Sequence, residues 1–155
     1  MILTEYYGPK TNPVNNEIIG DFVSHVMFGE KGMLSNYCSM AVVKGGDLIA
    51  GVIYNEYFAG SKTIEISAAS IDKRWMTRKV IHDMFFLPFE RLGSHLVVVK
   101  TSEKNVTVRK ISERCGLKPY YIPDMRGPGE GEYTYTMTKE LWRSLPFSEV
   151  RHENT

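Results

Sequence analysis

The sequence predicts a single α/β domain, α+β by some schemes, and three observations lead to this prediction. The 155 residues are enough for one sizeable hydrophobic core and too few for two. Apolar residues make up 43% and charged residues 24%, which are ordinary values for a folded globular protein. Segments with the period of a strand alternate with segments with the period of a helix. We assign residues 1–145 to the domain and residues 146–155 to a C-terminal tail.

The N-terminal half contains the clearest β pattern. Its predicted elements are a strand over residues 2–7, a helix over 14–28, and strands over 39–44, 48–58 and 63–71. The helix has apolar residues four positions apart and is followed by Gly29. A Gly45-Gly46-Asp47 turn makes the second and third strands a hairpin. The strand over 63–71 then extends this hairpin into a meander.

The C-terminal half continues the alternation. Its predicted elements are a helix within residues 75–93, a strand over 95–101, a helix from 105 to 116, and strands over 117–125 and 132–141. We expect Pro88 to end or kink the first of these helices, because proline lacks the backbone N–H that a helix needs. We expect Asn105 to cap the second helix and Gly116 to end it.

Charge and cysteine content exclude several classes of protein. The chain has 19 Lys and Arg against 18 Asp and Glu, so it lacks the basic excess of a nucleic-acid binder. Cys38 and Cys115 are far apart and show no metal-ligand spacing, which favours reduced, cytoplasmic chemistry without a metal. No segment approaches the roughly 20 apolar residues of a membrane span. We therefore expect a cytoplasmic protein without a membrane partner.

The order of the predicted elements resembles that of the GNAT superfamily, the acyl-CoA-dependent N-acyltransferases, over nearly the whole chain. The family's second signature is a capped amphipathic helix that ends in glycine. The matching positions here are Asn105, Val108, Ile111, Glu113, Arg114 and Gly116, with Leu117 in place of the closing aromatic residue. The resemblance implies a mixed, mostly antiparallel central sheet of six to seven strands, flanked by helices on both faces.

Residues 71–80 resemble the family's pyrophosphate-binding loop, which joins the last strand of the meander to the next helix. Arg74 fits the first position of the Arg/Gln-x-x-Gly-x-Gly/Ala motif, whereas Thr77 and Lys79 replace its two small residues. The resemblance implies that backbone amides here bind the phosphates of acetyl-CoA, since a helix N-terminus attracts anions. The expected coenzyme contacts are Ile71, Arg74, Thr77, Arg78, Lys79 and Asn105. A solvated helix start is the alternative for the basic residues, and a simple cap is the alternative for Asn105.

Transfer of an acyl group to an amine needs a base, donors for the developing oxyanion and a proton for the leaving thiolate. Glu65 is our candidate base, because it lies between Ile64 and Ile66 on a central strand and faces away from both. A structural ion pair or a solvated groove would explain this carboxylate equally well. The resemblance implies an oxyanion donor among the amides of residues 69–71. It also implies a thiolate proton donor at Ser112, where many relatives have Tyr, and the alternative is a structural role in the helix.

These observations together predict an N-acetyltransferase in which the amine attacks acetyl-CoA directly in a ternary complex. The acceptor is an amine-bearing small molecule or protein, and the chain is expected to be a monomer or homodimer. Two alternatives stay open. The substituted phosphate loop and Ser112 would also suit a GNAT-fold binding or structural module without catalysis, and the remaining alternative is a nucleic-acid-modifying relative.

Overall fold

A computed structural model describes residues 1–149 of the chain. The strands are β1 (Ile2–Tyr7), β2 (Cys38–Lys44), β3 (Asp47–Phe58), β4 (Thr63–Ser70), β5 (Leu96–Ser102), β6 (Lys118–Ile122) and β7 (Glu132–Thr138). The α-helices are α1 (Pro13–Phe28), α2 (Arg78–Phe86), α3 (Val106–Arg114) and α4 (Lys139–Ser144). A π-helix over Leu87–Arg91 follows α2, and a 3-10 helix over Pro146–Ser148 follows α4.

The seven strands form one sheet in the order β1-β2-β3-β4-β5-β7-β6. Every neighbouring pair is antiparallel except β4 and β5, which are parallel. The predicted mixed, mostly antiparallel sheet is therefore confirmed. The predicted hairpin is also confirmed, since Lys44 pairs with Asp47 and both glycines between them have the positive φ that this tight turn requires.

Helices cover both faces of the sheet. The face that carries Ala41, Ile53 and Ala69 packs against α1, through Ile19 and Val23. Gly51 of β3 permits this close packing, because a Cβ there would lie 2.7 Å from Cγ2 of Val23. We call this side the α1 face.

The opposite face of the sheet, the α2 face, carries the larger core. Its buried residues include Val52, Ile64 and Ile66 from the strands, Val80 and Phe85 from α2, and Trp142 from α4. The helix α3 packs on this side through Ile111 and Cys115.

Three segments differ from the sequence-based expectations or refine them. The α-helical part of the predicted 75–93 helix ends at Phe86, and Pro88 lies in the π-helical turn that follows, as its missing N–H requires. The predicted last strand is too long: it ends at Thr138, whose hydroxyl accepts a hydrogen bond from Leu141 N and so caps α4.

The predicted tail begins as ordered structure, because Phe147 packs against the larger core. The remainder of that tail, residues 150–155, lies outside the described residues. Among residues 1–149, none of the helices combines the length and apolar character required to cross a bilayer.

Candidate active site

The candidate site centres on a gap between the parallel strands β4 and β5. They pair only from Thr63 to Glu65 on β4 and from Leu96 to Val98 on β5, and then they diverge. Beyond this point β4 continues to Ser70, still paired with β3 on its other side. One edge of residues 66–70 therefore faces an opening in the sheet.

Backbone amides of β4 point into this gap. The amide of Ile71 donates to Ile49 O at 2.9 Å, which fixes the alternation along the antiparallel β3–β4 pair. Residues 69 and 67 accordingly direct their amides to β3, whereas Ala68 and Ser70 direct theirs to the gap. Of the expected oxyanion donors at 69–71, only Ser70 faces the gap, and Ala68 lies just outside that range. The Ile71 amide is already occupied.

An apolar cavity of about 80 Å³ adjoins the gap on the α2 face. It lies between α2 and α3 and is lined by Ile66, Ala68, Trp75, Met76, Met84, Phe85, Val99, Val108, Ile111, Ser112, Cys115 and Leu117. Trp75 is buried here. Burial raises the pKa of Cys115 to about 11, so its thiol is neutral at physiological pH.

The N-terminus of α2 opens toward solvent beside this cavity. Thr77 caps the helix, because its hydroxyl accepts from Val80 N at 3.2 Å and its carbonyl accepts from Ile81 N at 3.0 Å. The hydrogen bonds among residues 1–149 leave the amides of Arg78 and Lys79 without acceptors, as expected in the first turn of a helix. Both residues are exposed. Two amides are thus free to bind an anion.

The basic side chains around this helix start fall into two groups. Arg78 donates through Nη2 to Pro146 O at 2.8 Å, and Lys79 Nζ lies 2.7 Å from Asp83 Oδ2. These two side chains are already bound to groups of the protein. Lys73 and Arg74 are exposed and form no ion pair within residues 1–149. They are therefore the cations available to an anion at the helix N-terminus.

Glu65 lies at the apex of the gap, because it is the last residue of β4 that pairs with β5. Its neighbours Ile64 and Ile66 are buried in the α2-face core, so its side chain is on the α1 face. Burial raises the pKa of the half-buried Glu65, and Glu56 and Glu132 raise it further. Lys100 and Arg126 oppose this rise. A carboxylate with a raised pKa is a suitable general base near neutral pH.

Ser112 and Asn105 belong to α3. Ser112 is only 5% exposed and lines the apolar cavity, on the side of the sheet opposite to Glu65. Asn105 is confirmed as the helix cap, since its Oδ1 accepts from Val108 N at 3.2 Å. Glu65 and Ser112 therefore lie on opposite faces of the sheet, on either side of the gap between β4 and β5.

The sequence analysis missed several residues around Glu65. Asn55 is directly opposite Glu65 in the β3–β4 register. Lys100 follows Val98 by two residues on β5 and so shares the α1 face with Glu65. Arg126 Nε binds the buried Glu132 at 3.0 Å at the start of β7. Strand pairing brings Asn55 and Lys100 close to Glu65, and an ion pair with Glu132 places Arg126 beside them; neither kind of contact can be read from the linear sequence.

A larger cavity, of about 330 Å³, lies elsewhere on the molecule. It is bounded by the start of α1 and by residues of the segment before β2, and Glu17 and Asp21 contribute carboxylates. None of its lining residues belongs to β4 or β5, so we do not assign the acyl-transfer chemistry to it. Among residues 1–149, no group of three His, Cys, Asp or Glu side chains is arranged to hold a metal ion.

Comparison with known proteins identifies the fold. No protein-family model matches the chain, and no curated protein matches its sequence. Among solved structures, spermidine/spermine N-acetyltransferase SpeG from Vibrio cholerae, in complex with manganese ions, is similar with a TM-score of 0.71 and 11% identity. The match covers 96% of this chain and 97% of that protein.

Two further structures give the same result. The dodecameric form of the Vibrio cholerae spermidine N-acetyltransferase matches with a TM-score of 0.68 and 12% identity, over 96% of this chain and 98% of that one. A probable acetyltransferase matches with a TM-score of 0.60 and 17% identity, over 69% of this chain and 64% of that one.

Proposed function

We propose that this chain, which has the GNAT fold, is an N-acetyltransferase that transfers an acetyl group from acetyl-CoA to a primary amine. The observation that carries the proposal is the gap between β4 and β5, with free amides inside it. An apolar cavity lies on one side of this gap and a half-buried carboxylate lies on the other. Two reactants could therefore approach from opposite faces of the sheet.

The residues around the gap have complementary roles in this proposal. The amides of Arg78 and Lys79 bind the coenzyme pyrophosphate behind the Thr77 cap, with support from the Arg74 side chain. Ile71 and Asn105 lie at the two margins of the coenzyme site, and the cavity between α2 and α3 takes its apolar arm. Acetyl-CoA supplies the thioester whose carbonyl oxygen accepts hydrogen bonds from the amides of Ala68 and Ser70.

Glu65 acts on the acceptor. It takes a proton from the amine, directly or through water, so that the neutral nitrogen forms a bond to the carbonyl carbon. As the bond from that carbon to sulfur breaks, the nitrogen loses its second proton to solvent, and the thiolate receives a proton from water or from Ser112, which solvent then reprotonates. The serine hydroxyl is a poor acid, but a thiolate is weakly basic and needs little assistance.

The proposal is tested by coenzyme binding and by thiol release. Acetyl-CoA at a hundred times its Kd should stabilise the fold by about 2.7 kcal/mol, which corresponds to roughly 5–10 °C in Tm for a chain of this size. Acetylpantetheine is the control ligand, because it has the same thioester arm as acetyl-CoA but lacks the nucleotide phosphates. It should raise Tm much less than acetyl-CoA does. Release of the coenzyme thiol is then measured with spermidine, free amino acids and a peptide with a free N-terminus.

A catalytically inactive binding module is the second candidate. It is favoured by Thr77 and Lys79 at the positions of small residues and by Ser112 in place of Tyr. Coenzyme binding without thiol release from any amine would favour this module. Absence of coenzyme binding at millimolar concentration would overturn the acetyltransferase and also favour the inactive module.

A further inference from the structure

Asn55 contains a buried polar atom that the fold does not explain. Its Oδ1 is inaccessible to solvent and has no hydrogen-bond donor among residues 1–149. Buried amide oxygens are nearly always hydrogen-bonded, because burial without a partner forfeits the hydrogen bonds with water. An unpaired acceptor of this kind suggests a donor that is present only in another state of the protein.

The strand register identifies that donor. Asn55 and Glu65 are directly opposite each other in the antiparallel β3–β4 pair, so their side chains project from the same face. The Cβ atoms of such a pair are about 5 Å apart, which is within reach of two side chains of this length. An ionised Glu65 has no proton to donate to Asn55 Oδ1, whereas a protonated Glu65 has one.

The backbone of β3 is irregular immediately after Asn55. The β3–β4 register shifts between Asn55 and Phe58, and Glu56 within this irregularity has a φ of 53°. A left-handed conformation is uncommon for a residue other than glycine, and irregularities of this kind are frequent beside active sites. The bulge interrupts regular β3–β4 pairing immediately beyond Asn55. Glu65, opposite Asn55, is the last residue of β4 that pairs with β5.

We propose that Asn55 is a positioning residue whose Oδ1 accepts a hydrogen bond from the Glu65 carboxyl group after that group has taken the proton of the amine acceptor. The inference rests on the proposed function. The proton leaves the amine nitrogen, binds a Glu65 oxygen, is shared with Asn55 Oδ1, and passes to solvent when the product leaves. The charged groups that act on Glu65 are Glu56, Lys100, Arg126 and Glu132.

The reverse orientation of the Asn55 amide group would shift the Glu65 pKa in the opposite direction. If the amide group were turned so that Asn55 Nδ2 donated to the ionised carboxylate, Asn55 would stabilise the charged form of Glu65 and lower its pKa. The assignment with Oδ1 as acceptor instead stabilises the neutral form and raises the pKa. Burial, which also raises the pKa of Glu65, acts in the same direction as this second assignment.

The experiment measures the Glu65 titration directly and through catalysis. The carboxyl carbon of Glu65 is followed by 13C NMR in the whole protein and is identified by its loss in Glu65→Gln. Replacement Asn55→Ala should lower the Glu65 pKa by about 0.5 to 1 unit, the equivalent of one neutral hydrogen bond. The ascending limb of kcat/KM against pH should move to lower pH by the same amount, with acetyl-CoA affinity unchanged.

A second variant keeps the test decisive if Asn55→Ala does not fold. Asn55→Thr suits a strand and fills more of the site than Ala, but it lacks the amide oxygen, so it should also lower the Glu65 pKa. If Nδ2 instead donated to the ionised carboxylate, either replacement would raise that pKa. An unchanged or raised Glu65 pKa in Asn55→Ala, or in Asn55→Thr where Asn55→Ala does not fold, would overturn the inference. If the wild-type protein shows no thiol release, the proposed function fails, while the NMR titration still decides the bond between Asn55 and Glu65.

Discussion

A carboxylate at the point where two strands diverge has a different environment from one on a fully paired strand. Glu65 is held by β3 and β5 at its own position, yet the strand beyond it has one free edge. Its side chain is half-buried on the α1 face, while the amides of Ala68 and Ser70 face the gap. The backbone thus sets the distance between the proposed base and the proposed oxyanion donors along a single strand.

Replacement of Glu65 by Gln should lower kcat by about 10²-fold or more, because general-base catalysis typically contributes 10² to 10⁴. The pKa of Glu65 is raised by burial, so its limb in kcat/KM should lie above the pH range of an ordinary carboxylate. Above that limb Glu65 is ionised and active as a base; below it the protonated form is inactive. Glu65→Gln should remove the part of the kcat/KM profile that follows ionisation of Glu65. The part that follows deprotonation of the acceptor amine should remain.

The matched control for this replacement is Glu56→Gln. Glu56 is an exposed carboxylate near the same end of the sheet, and its loss removes the same charge. It should change kcat only a few-fold, through its effect on the Glu65 pKa. Equal losses in the two variants, or unchanged kinetics in Glu65→Gln, would remove Glu65 from the mechanism. Calorimetric titration with acetyl-CoA checks that both variants bind the coenzyme normally.

Sequence reasoning reached Glu65 but not Asn55, and the cause is physical. A charged residue between two isoleucines on a strand stands out by alternation alone. Asn55 stands out only through its register with Glu65 and its unpaired oxygen, which are properties of the folded sheet. For the same reason, the family resemblance implied an oxyanion donor among residues 69–71 but could not tell which of these amides point to β3.

Among the elements, the start of α2 carries the proposed site for the coenzyme phosphates. Its basic residues look alike in the sequence, yet the fold separates them. Lys79 forms an ion pair with Asp83, which also accepts a hydrogen bond from Thr4 of β1. Arg78 donates to the backbone carbonyl of Pro146. Lys73 and Arg74 lie in the loop that leads to the helix and are exposed.

Replacement of Arg74 by Ala should weaken acetyl-CoA binding about tenfold, since a charge-assisted hydrogen bond contributes roughly 1.5 kcal/mol or more. Lys79→Ala removes the same charge from the same region and is the control, with a much smaller effect on affinity. Titrations at low and high salt should show a loss of salt dependence in Arg74→Ala, because exposed charges are screened. A larger effect from Lys79→Ala would assign the phosphate contact to that side chain.

The element boundaries show what local sequence signals can and cannot provide. The hairpin, the first helix and the strand over 96–102 have strong periodicity and were predicted within one residue at most boundaries. The short α4 was missed, because Thr138 is a good strand residue as well as a good cap and its helix has only six residues. The divergence of β4 from β5 has no local signature, since it depends on how the two strands approach each other.

At the scale of the whole molecule, the C-terminal part of the described chain connects α2 to α4. The Phe147 ring stacks on Phe85 with centroids 6.3 Å apart, and Pro146 O accepts from Arg78. Phe85 also lines the apolar cavity. The short 3-10 helix therefore supports the wall of the candidate coenzyme site from behind.

Replacement of Phe147 by Ala should destabilise the fold by about 1–3 kcal/mol, less than a fully buried phenylalanine because this ring is only partly buried. Thermal unfolding should show a Tm lower by roughly 2–4 °C for each kcal/mol. Phe58 is 60% exposed, so Phe58→Ala is the control and should leave Tm nearly unchanged. Equal effects in the two variants would show that Phe147 does not contribute to the core.

The hydrogen-bond donors in the gap between β4 and β5 are backbone N–H groups, which every amino acid except proline provides. Substitution can therefore exchange most side chains of this strand without deleting a donor, provided that the strand keeps its course. Such a plan can be built from very different sets of side chains. The TM-score of 0.71 at only 11% identity is in keeping with this, because the fold is shared while few residues are.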